Sequence, residues 1–142
     1  MANLQRSGGT GTQGAGQSIE SYFRNKGGVS ELLSHAQDFE LSEAQTNQLE
    51  ALRPTFELVR HDLQAALLKA ETQLRAVLQN DTAAENDVMA AIDEVSRCQG
   101  ELLKMRYRNM QKARAVLSDD QRSKVKAFRR QQDLASAEQR RQ

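Results

Sequence analysis

Apolar residues recur at alternating steps of three and four along residues 49–77, a spacing that strongly constrains the fold. They are Leu49, Leu52, Phe56, Val59, Leu63, Ala66, Ala70 and Val77. Such a stripe predicts a helix, from about residue 43 to 78, packed lengthwise on another helix. A second stripe follows at Val88, Ile92, Val95, Cys98, Leu102, Met105, Met110, Ala113 and Val116. Asn80 and Asp81 favour a turn, and so short a connection makes the two helices antiparallel neighbours.

Two strings of the form Leu-Ser-x-x-Gln flank this hairpin. Their defining residues are Leu41, Ser42, Gln45, Leu117, Ser118 and Gln121. In a capping box, the N-cap serine accepts a hydrogen bond from the backbone of the third helical residue, whose glutamine reaches back to the N-cap N–H. The strings therefore predict that helices begin at about residues 43 and 119. A third box, from Thr82 to Glu85, predicts the start of the returning helix.

The sequence predicts an all-α fold, in which a long antiparallel helical hairpin is flanked by short helices. We assign residues 1–28 to a flexible N-terminal leader or linker, 29–137 to the helical hairpin domain and 138–142 to a frayed C-terminal tail. In the last helix, an apolar face is expected from Val125, Phe128 and Leu134. Because a hairpin with one-sided apolar surface cannot enclose a core alone, we expect the terminal helices, a homodimer or both to complete it.

Opposite charges concentrate in different halves of the chain. Residues 31–97 carry 13 acidic and 5 basic side chains, whereas residues 101–142 carry 5 acidic and 12 basic ones. The two halves either pair within the fold or form separate solvated faces. Since the net charge is only +1, nucleic-acid binding is not expected. A transmembrane segment is not expected either, because no apolar run approaches about 18–20 residues.

The duplicated Leu-Ser-x-x-Gln string resembles the Leu-Thr-x-x-Gln signature of the Spy/CpxP family. Residues 110–122 are similar to the closing segment of its heavy-metal-resistance branch, which includes CnrX-like and ZraP-like periplasmic proteins. The resemblance covers about residues 30–130 and implies a periplasmic envelope-stress protein that forms a cradle-like antiparallel dimer. Relatives hold unfolded protein clients without ATP, respond to metal or restrain an envelope signalling protein.

Location in the periplasm is what the resemblance implies, yet this chain shows no export signal. Family proteins carry such a signal, and the first thirty residues here contain no hydrophobic stretch. A periplasmic location therefore supposes that the signal has been removed. The alternative is a cytosolic helical adaptor.

Two Glu–His pairs are the candidate metal ligands. Glu31 with His35, and Glu57 with His61, are each spaced four residues apart on one helix face. Either pair supplies two ligands for zinc, nickel, cobalt or copper, although a defined zinc site needs three or four. The metal-sensing relatives carry a His-x-x-x-Met pair before the second string, where this chain has Asn109 and Ala113. The pairs therefore indicate either a metal-responsive sensor with an atypical site or ordinary surface residues.

Catalysis is not expected from this sequence. The two histidines have no Ser or Cys partner at a meaningful local spacing, and Cys98 falls on an apolar stripe. The chain also lacks a Gly-rich phosphate loop and a Ser/His/Asp arrangement. We therefore expect a protein that acts by binding and is not an enzyme.

Overall fold

The regular structure of the described residues is entirely helical. The computed structural model describes residues 19, 22, 23 and 28–141. From residue 28 to 141 four helices follow one another without a strand: Val29–Ser34 (α1), Glu43–Gln79 (α2), Glu85–Ala115 (α3) and Asp119–Arg141 (α4). The all-α prediction is confirmed, whereas most of the leader assigned to residues 1–28 lies outside the described residues.

Helices α2 and α3 form the long antiparallel hairpin that the two apolar stripes predict. The 37 residues of α2 correspond to a length of about 55 Å at 1.5 Å per residue. Pro54 lies inside α2, where it removes one backbone hydrogen bond. The helix nevertheless continues from Glu43 to Gln79, with Leu49 before the proline and Ala70 after it both buried.

The turn between α2 and α3 differs from the prediction. Helix α3 has Ala84 as its N-cap, and no side chain caps it. The Oδ1 atom of Asn80 instead accepts hydrogen bonds from the Thr82 backbone N–H at 3.1 Å and from the Thr82 hydroxyl at 2.9 Å. The predicted capping box at Thr82 is wrong, because this hydroxyl belongs to the turn that Asn80 organises.

The core lies at the base of the hairpin, which is the end opposite the Asn80 turn. Its buried members are Val29, Leu32, Phe39, Leu49, Ala113, Leu117 and Val125. Phe39 is 1% exposed, and its ring meets the half-buried ring of Phe128 edge-on with the centroids 5.4 Å apart. Full burial of one large apolar side chain contributes about 1.5–3 kcal/mol. This cluster therefore fastens α1 and α4 to the hairpin.

Helix α4 is longer than predicted and covers less of the core. It continues to Arg141, so the tail predicted at residues 138–142 is helical through residue 141. The basic side chains of its last turn suit the negative end of the helix dipole. Val125 and Phe128 pack in the core, whereas Leu134 is 65% exposed. Among the described residues no other element covers this part of α4, so the apolar face expected from Val125, Phe128 and Leu134 is packed only over its first part.

Two ion pairs join the acidic half of the chain to the basic half. Arg129 of α4 donates through Nε and Nη2 to Glu31 Oε1 of α1, at 3.3 and 3.2 Å. Lys124 of α4 pairs with Glu40, and its hydrogen bond and charge lower the pKa of the Glu40 carboxyl. Opposite charges therefore meet where α4 crosses α1 and the segment that follows it.

Candidate functional site

Both predicted capping boxes at the Leu-Ser-x-x-Gln strings are present. The Ser42 hydroxyl accepts a hydrogen bond from the Gln45 N–H at 3.1 Å, and Gln45 Oε1 accepts one from the Ser42 N–H at 2.9 Å. The same two bonds join Ser118 and Gln121, at 3.2 and 2.9 Å. Each box satisfies two N–H groups that have no partner within the helix. Helices α2 and α4 therefore begin where the strings predict.

The two boxes are joined through their glutamine side chains, a contact that the sequence analysis missed. Gln45 Nε2 lies 2.7 Å from Gln121 Oε1, and Gln121 Nε2 lies 2.9 Å from Gln45 Oε1. Each amide thus donates to the other and accepts from it. Each Oε1 atom also accepts the N–H of its own serine, so both of its lone pairs are used. We call this arrangement the glutamine pair.

A further bond ties each glutamine to the chain ahead of the other box. Gln45 Nε2 donates to the Val116 carbonyl at 3.1 Å, and Gln121 Nε2 donates to the Glu40 carbonyl at 2.9 Å. Val116 and Glu40 each lie two residues before the serine of their own box. The two halves of the arrangement are therefore equivalent bond for bond, and both donors of each amide are used.

The surroundings of the glutamine pair indicate a structural clamp. Gln121 is only 9% exposed, beside the buried core residue Leu117. Glu40, whose carbonyl Gln121 holds, has a φ of 54°, in the left-handed region that few non-glycine residues adopt. Since the polar atoms of both amides are used internally, the pair stabilises the base of the hairpin and leaves no group to bind a ligand.

We expect Ser42→Ala and Ser118→Ala each to lower the free energy of unfolding by about 0.5–2 kcal/mol, because each removes the acceptor of a helix-start N–H. Asp at either position should recover part of the loss, since Asp caps well and suits the helix dipole. Urea unfolding followed by circular dichroism measures these changes. Ser96→Ala, at an exposed position inside α3, is the control, and an equal loss there would contradict the capping role.

The candidate metal ligands on and after α1 have other partners. The Glu31 carboxylate pairs with Arg129, and both side chains are nearly buried, at 16% and 14% exposed. The Nδ1 atom of His35 lies 3.2 Å from Asp38 Oδ2. The His35 ring packs against Phe128, with centroids 4.4 Å apart. Both residues therefore help to dock α1 against α4.

Of the four candidate ligands, the structure brings only Glu31 and Glu57 to one cleft. It has a volume of about 450 Å³ and lies between α1, α2 and α3, while His61 is exposed on α2. Three arginines also line it: Arg53, Arg60 and Arg106. Their positive charges oppose a bound cation. Among the described residues no group of three His, Cys, Asp or Glu could hold a metal ion.

These residues do not fit a zinc, nickel, cobalt or copper centre, because two carboxylates beside three guanidinium groups do not supply a ligand set. Metal sensing at Glu31, His35, Glu57 and His61 stays a prediction of the sequence, and no step of the proposed function depends on it.

Beyond the core, the hairpin is a single layer of two helices. We call residues 58–103 the distal hairpin. Only Ala70, Cys98 and Leu102 are buried within it, and six seam residues stay half-buried: Leu63, Leu67, Leu74, Val77, Val88 and Val95. Six large apolar side chains are 40–64% exposed: Leu58, Val59, Leu68, Leu78, Met89 and Ile92. Because contiguous apolar surface is typical of an interaction site, the distal hairpin is the candidate surface.

Comparisons with known proteins add no relative from which a function could be transferred. No family model matches the chain, and neither a curated protein nor a solved structure matches it. Membership of the Spy/CpxP family therefore stays a prediction, carried by the two strings. None of the helices that the structure describes is long and apolar enough to cross a membrane.

Proposed function

We propose that this chain is a binding protein of the Spy/CpxP type that acts in envelope stress, without ATP and without chemistry. It holds unfolding clients or restrains an envelope signalling protein. The observation that carries the proposal is the open distal hairpin. Two helices in one layer cannot enclose a core, so their half-buried seam and outward apolar side chains offer a surface for another chain. Support also comes from the two strings and the glutamine pair, which fix the base of the hairpin.

A second copy of the chain is the natural cover for part of this surface. In a twofold dimer the same patch of each subunit meets its counterpart, and two antiparallel hairpins would form a cradle with one side left for clients. Sedimentation equilibrium should therefore give about twice the monomer mass of 15.9 kDa. A monomer at every concentration up to the solubility limit would remove the dimer from the proposal.

Client binding is tested by aggregation of a thermally denatured model enzyme, followed by light scattering without ATP. The wild-type protein should suppress aggregation at or below stoichiometric amounts. Leu68→Gln and Met89→Gln should each weaken suppression severalfold, since both side chains are exposed on the distal hairpin, at 60% and 51%. Leu134→Gln is the matched control, because Leu134 is equally apolar and 65% exposed but lies on α4.

Two results would count against client binding. Absence of suppression at severalfold molar excess would remove the chaperone role, although the fold would stand. An equal loss in Leu134→Gln would show that general hydrophobicity, and not the distal hairpin, is responsible. Fractionation of native cells separates the remaining alternatives: recovery with periplasmic proteins supports the envelope role, whereas recovery only in the cytosol favours a helical adaptor.

A further inference from the structure

A basic cleft lies between the C-terminal end of α3 and the first half of α4. It has a volume of about 530 Å³, and Tyr22 is one of its lining residues. Its charged lining is Arg114, Arg122, Lys126, Arg129, Arg130 and Asp133. The buried apolar side chains of Leu117 and Val125 also line it. Five cationic groups therefore surround one concave site together with a single lining carboxylate.

Two of the five cations are held in place by neighbouring groups. Arg129 pairs with Glu31 at 3.2 Å, and Arg122 pairs with Asp119 at 2.6 Å. Arg122 also donates through Nε to the backbone carbonyl of Arg114 at 3.1 Å. These contacts fix the arginine side chains before any ligand arrives, which reduces the entropy lost on binding.

The other three cations have no ion pair with any residue that the structure describes. They are Arg114, Lys126 and Arg130. Partial burial, and the positive charge of Arg129 close by, lower the pKa of Arg114. A shift in that direction means that burial and the Arg129 charge outweigh the stabilising charge of Glu31 at this position. The cleft therefore keeps a surplus of positive charge that an anion would neutralise.

We propose that the basic cleft binds a phosphate ester, as a soluble molecule or as a lipid headgroup. Planar guanidinium groups bind phosphate oxygens through two parallel N–H bonds, a geometry that lysine cannot reproduce. The cleft is of the size typical of small-molecule sites, roughly 300–1,000 Å³, so it has room for an organic group against Leu117 and Val125. This site goes beyond the proposed function, which uses the distal hairpin.

Calorimetry with inorganic phosphate and glycerol 3-phosphate tests the site on the full chain. Glycerol 3-phosphate should bind the wild-type protein more tightly than inorganic phosphate does. Arg114→Gln should weaken this binding about tenfold or more, as expected for a lost hydrogen bond to a charged group. Arg114→Lys should recover only part of the affinity. It keeps the positive charge but loses the planar guanidinium group that can donate two parallel hydrogen bonds. Arg108→Gln, at an exposed arginine of the same helix outside the cleft, should change affinity less than about twofold.

Vesicles separate the two sources of the phosphate ester. Binding to phosphatidic acid vesicles, but not to phosphatidylcholine vesicles, supports a lipid headgroup if Arg114→Gln abolishes it. Binding of glycerol 3-phosphate alone supports a soluble ligand. The proposal is overturned if none of these probes binds at millimolar phosphate. It is also overturned if Arg108→Gln and Arg114→Gln lose affinity equally while both keep the wild-type melting temperature. Client suppression should be unchanged in Arg114→Gln, so failure of this site is distinguishable from failure of the proposed function.

Discussion

Replacing Gln121 with Leu is expected to lower the free energy of unfolding by about 2–4 kcal/mol, because it leaves several partly buried polar groups without their partner. The Gln121 amide accepts a hydrogen bond from the Ser118 N–H and donates to Gln45 Oε1 and to the Glu40 carbonyl. Its side chain is only 9% exposed. Leu has nearly the same volume, so no large cavity adds to the loss. Urea unfolding followed by circular dichroism gives the value.

Gln132 provides the control for this prediction, and Gln45 provides the test of whether the two capping boxes depend on each other. Gln132→Leu, at an exposed position of the same helix, should change stability by less than about 0.5 kcal/mol. A double-mutant cycle of Gln45→Leu with Gln121→Leu should give a coupling energy of at least about 1 kcal/mol, since each glutamine is the partner of the other. Strict additivity would mean that the two boxes cap their helices independently.

Local sequence chemistry was sufficient to place both ends of α2 and the start of α4. Helix α2 was predicted from about residue 43 to 78 and runs from Glu43 to Gln79, and α4 begins at Asp119 as its box predicts. Caps and apolar periodicity act over three or four residues, so they can be recognised in one chain without knowledge of its tertiary contacts.

The glutamine pair could not be predicted in the same way, because each amide finds its partner 76 residues away. A glutamine at the third helical position is expected to cap its own helix, and nothing local shows where its N–H groups point. A signal does exist in the spacing: Leu49 and Val125, both in the core, are separated by the same 76 residues. Such a common offset indicates two equivalent helix starts that face each other.

The predictions that the structure did not bear out depended on contacts that the pattern of a single helix does not specify. Thr82 has the sequence of a cap, but Asn80 takes its hydroxyl. Leu134 was expected on the apolar face of α4, but no element that the structure describes lies opposite it. In each case the contacts of the folded chain decided the outcome, within the turn for Thr82 and beyond the helix for Leu134.

Phe39→Ala is expected to cause the largest loss of stability, about 3–5 kcal/mol, because it removes a fully buried aromatic ring and leaves a cavity. The ring is 1% exposed, and its centroid lies 5.9 Å from that of His35 and 5.4 Å from that of Phe128. It therefore joins the segment after α1 to α4. Leu68→Ala, at a 60% exposed position on the distal hairpin, is the control and should change stability by less than about 0.5 kcal/mol.

The losses from Phe39→Ala and Gln121→Leu should not add. Phe39 directly precedes Glu40, whose carbonyl accepts the hydrogen bond from Gln121, so both substitutions loosen the junction of α4 with the base of the hairpin. Once that junction is open, the second substitution has less left to remove, and the double variant should lose at least about 1 kcal/mol less than the sum. Full additivity would show instead that the aromatic contact and the glutamine pair stabilise separate units, and the base of the hairpin would not be one rigid body.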